Sequence, residues 1–233
     1  MTTTSDLPLA DTTDISGIHR VFRQALAAAP RLVGGARPGD ADRAEVVGTY
    51  YDNVLRLLDS HHTGEDELLT PKLLQRCPEE AETIAAIFAQ HAVVHHAIDQ
   101  AHTWVRTWRA EPTAANAAEL QVVLASLDTA LTVHLDQEET TVLPIAARCI
   151  NVAEWGELPA DGMRTFTRDK QWLIRGLISD EMTRAQRAEM DAHTPPAVAT
   201  MWVEGGHAAY TEFLAQLQET APYPEPDRAV TTG

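Results

Sequence analysis

Histidine and glutamate recur in this chain at spacings that a helix turns into pairs. Residues 61–71 read HHTGEDELLTP and residues 134–144 read HLDQEETTVLP. Both fit His-x3-Glu-acid-x4-Pro, and the second copy follows the first by 73 residues. Side chains four apart on a helix share a face, so His61 neighbours Glu65 and His134 neighbours Glu138. His91 and His95 make a third pair in HAVVH, and His19 stands alone near the start. A single histidine on an apolar face is usually a hydrogen-bonded core residue, and a His–Glu pair at this spacing is usually a surface pair. Here the pattern recurs on four segments, and its acids adjoin Leu68 and Leu69 in one copy and Val142 and Leu143 in the other. Burying such acids without a cation is costly, and a metal supplies the compensation.

The donor set narrows the metal. Five imidazoles (His19, His61, His91, His95, His134) and two carboxylates (Glu65, Glu138) exceed what one ion takes with a position left open. They suit two ions bridged by the carboxylates. Imidazole accepts Fe, Zn, Cu or Ni, and carboxylates in the set favour Fe or Mn over soft metals. Two Fe(II) ions carry four positive charges and two glutamates cancel two. A bridging hydroxide or oxide lowers the remainder.

Helical periodicity over nearly the whole chain supplies the elements that must position these groups. The spacing predicts a helix over 14–29 with Asp14 as N-cap and a loop over 30–40. Asp40 then caps a helix to about residue 76. Pro78 opens a third helix to about 110, in the position proline favours, and a fourth runs over 113–149. Short connections make this an all-α, antiparallel, up-down-up-down four-helix bundle. The two repeat copies then lie on parallel, diagonally opposite helices. Residues 1–13 are expected to be disordered, 14–150 to form the bundle, 151–221 a helical extension packed on it, and 222–233 a disordered tail.

Composition bounds the rest. The chain has 233 residues, 44% of them hydrophobic, and a formal net charge of −16, so it repels nucleic acid and anionic membranes. The polar start lacks a secretory signature. No apolar run reaches the length of a membrane span. Only Cys77 and Cys149 are present. They point to a reduced, cytoplasmic protein whose two thiols are buried and inert, without a disulfide.

The two repeat motifs, HAVVH between them and the early His19 resemble the hemerythrin HHE cation-binding family over roughly residues 14–150. The resemblance implies a non-haem diiron centre. His91, His95 and His134 would hold one iron, His19 and His61 the other, and Glu65 and Glu138 would bridge. The open position for O2, peroxide or nitric oxide would lie on the second iron. Oxygen carriers of the family place the last carboxylate five residues after its histidine, which here is Glu139. The match to His61–Glu65 favours Glu138. Ferritin-like diiron bundles need Glu-x-x-His on two helices. The only instance here, Glu204 to His207, follows two glycines in the extension, so that class is set aside.

His62 is turned about 100° from His61 and is expected at a boundary, with a contact behind the metal ligands as the alternative. His102 lies about 10 Å of helix rise beyond His95, too far for the same ions. Asp66 and Glu139 can take the second ring N–H of a bound imidazole, as metal-bound histidines commonly require, with an ordinary solvated acid as the equal alternative for each. The extension, rich in tryptophan, is expected either to pack along the bundle or to cap its open end and shape a pocket. These features suit an oxidoreductase that uses O2, peroxide or nitric oxide, with or without a small organic substrate. The alternative is an O2 or nitric oxide carrier or sensor without turnover. A monomer or small homo-oligomer is expected.

Overall fold

The computed structural model describes residues 7–167 and 169–219, and among them the fold is all-helical, with no strand. Four long helices dominate: α1 (Ile15–Ala27), α2 (Ala41–Gly64), α3 (His91–Ala110) and α4 (Ala114–Gln137). The helix starts follow from local chemistry. Asp40 accepts the N–H of Arg43 at 2.9 Å and Thr113 accepts that of Asn116 at 3.1 Å, each satisfying a free donor at its helix N-terminus. Asp14 does not cap α1 with its side chain. Its carboxylate instead takes the indole N–H of Trp155 at 3.0 Å.

α3 packs against both α2 and α4, and α1 packs against α4 and α2. The expected 78–110 helix is divided: Pro78–Glu80 is a 3-10 turn, Ala81–Phe88 a short helix, and α3 starts only at His91 after a break at Ala89 and Gln90. The expected second and fourth helices carry one irregularity each, and it is the same one. Glu65–Leu69 and Glu138–Val142 are π turns, followed by the helices Thr70–Arg76 and Leu143–Cys149. In each copy the N–H at the end of the turn reaches back five residues to the glutamate carbonyl. Pro71 and Pro144 follow directly and have no N–H to continue the ordinary ladder. π turns of this kind are frequent at functional sites.

Two apolar clusters form the core. One comprises the bundle interior, with Leu55, Leu58, Ile98, Leu124 and Leu131. The other includes Leu69, Ile84, Phe88 and Val142. Between Leu58 and Leu69 on the second segment, and between Leu131 and Val142 on the fourth, lie the His–Glu motifs. The polar layer is therefore closed off by apolar packing on both sides.

The segment expected to be disordered through residue 13 is ordered where the structure describes it. Ala10 donates to the Ile150 carbonyl and Val152 to that of Pro8, both at 2.9 Å, which ties the chain start to the beginning of the extension. The predicted tail over 222–233 lies outside the described residues. The extension contributes α5 (Glu157–Arg164), which packs on α2, and α6 (Gln171–Asp180) and α7 (His207–Gln218), which pack on each other and on α2. Among the described residues no helix is long and apolar enough to cross a membrane.

The cysteines correct the expectation of inert thiols. Cys77 and Cys149 are joined in a disulfide across a sequence separation of 72. The near match between this separation and the repeat offset explains it. Each cysteine lies just beyond the same motif, so packing the two copies side by side brings the sulfurs together. Closing a loop of this size removes unfolded-state entropy worth about 4 kcal/mol. Cys77→Ser, or reduction, is therefore expected to lower the free energy of unfolding by about that amount, read from denaturant midpoints. Two titratable thiols in unreduced, denatured protein would contradict the pairing.

Candidate metal centre

The polar layer resolves into two groups that share one residue. His62, Glu65, His91 and His134 form the first, and His19, His61, Glu65 and Glu138 the second. Within each group one ligand atom per residue lies within 4.8 Å of all the others. Glu65 is split between them: Oε1 is 3.4 Å from His61 Nε2, and Oε2 is 3.6 Å from His91 Nε2. Glu138 Oε2 lies 3.4 Å from His19 Nε2 and 3.7 Å from His134 Nε2. The imidazoles meet nitrogen to nitrogen, His19 to His61 at 3.2 Å and His91 to His134 at 3.1 Å. Two imidazole nitrogens held at right angles on one ion, at about 2.1 Å each, lie about 3 Å apart.

The electrostatics call for a cation. Glu65, Glu138, His19, His62 and His134 are fully buried. Among the described residues, both carboxylate oxygens of Glu65 and of Glu138, both ring nitrogens of His62 and Nδ1 of His134 have no hydrogen-bond partner. Leaving such groups unpaired is expensive. Burial, with Glu138 close by, holds the Glu65 carboxyl well above the usual range. Burial, followed by neighbouring imidazoles, holds His61 and His62 well below theirs and His134 down to about 3. His91 is lowered by burial although Asp66 opposes the shift. These shifts favour the neutral form of His61, His62, His91 and His134, which is the form that binds metal. A divalent ion in each group would engage the carboxylate oxygens of Glu65 and Glu138 and one ring nitrogen of His62 and stabilise the glutamate charges, so the residues present fit a metal pair.

Behind the groups the two copies repeat another device. His91 Nδ1–H donates to Asp66 at 2.8 Å, and His19 Nδ1–H donates to Glu139 at 2.7 Å. In each copy the acid following the central glutamate accepts from an imidazole of another helix, whose Nε2 is then the ring nitrogen turned inward. Arg23 also reaches Glu139, at 3.4 Å.

Six of the seven sequence-selected residues are brought together: His19, His61, Glu65, His91, His134 and Glu138. His95 is not among them. Its side chain is 30% exposed, and its Nδ1–H donates to Asp59 at 2.8 Å. Its Nε2 faces Asp66 at 3.8 Å. His62 is not at a boundary but fully buried, with its ring centroid 4.6 Å from that of His91 and 5.0 Å from that of His134. The signal for it was present in the sequence. Glu65 follows His61 by four residues and His62 by three, and both spacings make neighbours on a helix. His102 pairs with Asp52, and His193 lies on the surface beside Glu189.

A family model, the hemerythrin HHE cation binding domain, matches residues 11–146. The chain belongs to that family. No curated protein and no solved structure matched it.

Proposed function

We propose that this chain binds two iron ions, one in each group, within an up-down-up-down antiparallel bundle, and acts as an oxidoreductase on O2, peroxide or nitric oxide. The observation that carries the reading is the division of the buried Glu65 carboxylate between two imidazole-rich groups. Five imidazoles and two carboxylates is the donor count the sequence suggested, with His62 in the place given to His95. Iron would supply one-electron redox chemistry and a position for a small oxygen- or nitrogen-centred ligand. Asp66 and Glu139 hold His91 and His19 in the tautomer that offers Nε2. The apolar layers on either side of the motifs exclude water, which strengthens every electrostatic contact inside.

An apolar cavity against His61 favours turnover over simple carriage, because it leaves room for a second reactant. The test is to add peroxide, and separately nitric oxide, to iron-loaded protein and follow its disappearance. Catalytic consumption is expected, lost in His61→Ala. Reversible ligand binding without turnover would make the protein a carrier and refute the oxidoreductase reading.

A further inference from the structure

A cavity of about 150 Å3 lies between α1, α2 and the extension, and the ring of His61 forms part of its wall. Its other walls are almost wholly apolar: Ile18 and Leu57 from the bundle, Trp155, Leu158 and Met163 from the first part of the extension, and Ile178 from α6. Two glycines line it where α2 and α5 approach each other. A Cβ on Gly64 would meet Leu158 at 3.7 Å, and one on Gly162 would meet Ser60 at 3.9 Å. The polar groups at the wall are already engaged. Ser60 Oγ shares a hydrogen bond with Thr165 Oγ1 at 3.0 Å, and Asp14 accepts the Trp155 indole N–H. Among the described residues no Lys or Arg lines the cavity, and the carboxylate of Asp14 at its wall disfavours an anion.

We propose that this cavity is the binding site for an uncharged, apolar organic co-substrate about the size of a single aromatic ring, held directly beside His61. The proposal rests on the diiron reading above, because His61 belongs to the group formed with His19, Glu65 and Glu138. Size and polarity set the ligand class. An apolar site of about this volume has room for a ligand of benzene's size. A group that needs hydrogen bonds would lose them on entry, whereas an apolar ring loses nothing and gains by leaving water. His19 and His91 have a carboxylate on Nδ1, but His61 has no hydrogen-bond partner on Nδ1 among the described residues. With Nε2 turned towards Glu65, that N–H is the one polar handle the ring can offer. The extension thus has a task beyond packing: half of the cavity lining is its own.

The test uses the iron-loaded full chain, with toluene as the probe and benzoate as the charged control. Iron content is measured in the same samples. Saturable toluene binding is expected, with no binding of benzoate, and with a change in the visible absorption of the iron centre. Gly162→Leu fills the cavity and is expected to weaken toluene binding at least tenfold while retaining iron and helix content. Leu158→Ala enlarges the cavity and is expected to admit naphthalene, which the unmodified protein excludes. This second variant keeps the test decisive if Gly162→Leu does not fold. Absence of saturable toluene binding to a protein that holds two irons overturns the cavity proposal and leaves the diiron reading standing. Toluene binding to a protein that takes up no iron overturns the diiron reading, and the co-substrate role with it.

Discussion

Glu65→Ala is expected to purify with neither iron. Glu65 is the one residue common to both groups, and its two oxygens face His61 on one side and His91 on the other. Removing it leaves each group with imidazoles but withdraws half of the buried negative charge that offsets the metal. Loss of a group that merely orients a metal ligand lowers metal affinity by about 10- to 100-fold, and loss of a shared ligand exceeds that. Metal analysis of the purified variant, with melting temperature as a check on folding, reads the effect. The metal-free variant is expected to stay helical, because the two apolar clusters on either side of the site are untouched. Glu139→Gln is the comparison. It weakens the contact to His19 but leaves both groups complete, so it is expected to retain iron with affinity reduced by about 10- to 100-fold.

The second large effect separates two histidines that motif matching alone ranks in the opposite order. His62→Ala is expected to lose the iron of the group formed with His91 and His134, while His95→Ala is expected to retain both. His62 is fully buried, with both ring nitrogens unpartnered. Such a side chain is explained by an ion and by little else in its surroundings. His95 already has its partner in Asp59 and reaches solvent. Iron stoichiometry in the two single variants decides between them. Iron lost from His95→Ala and kept in His62→Ala would reverse the assignment.

These two histidines also show where the sequence was readable and where it was not. Four-residue spacing was enough to select His61 with Glu65 and His134 with Glu138, because a helix converts that spacing into contact without help from tertiary structure. It also gave the all-helical fold and the cap at Asp40, but not the cap at Thr113. Asp66 and Glu139 were legible from chemistry, since bound imidazoles need an acceptor behind them. For His62 the three-residue spacing to Glu65 was available, but a rotation of about 100° from His61 suggested a different environment. That holds for a helix with one functional face. α2 instead passes between two groups, so consecutive residues serve different ones: His61 meets His19, and His62 meets His91 and His134. The π turns at Glu65 and Glu138 were hidden for a related reason. They depend on the following prolines and on the packing that makes one extra residue per turn worthwhile. The disulfide was obscured by the small number of cysteines, although the repeat offset already placed Cys77 and Cys149 at equivalent ends. The ordered chain start and the cavity wall both depend on contacts between distant parts of the chain, which no local pattern announces.

The measurement that bears most directly on the central claim is the metal content of the purified, iron-supplemented chain, with its Mössbauer spectrum before and after exposure to air. Two irons per chain are expected, giving a spin-coupled pair whose spectrum changes on oxidation. A single iron, or zinc alone in a protein that stays inert after iron loading, would contradict the account.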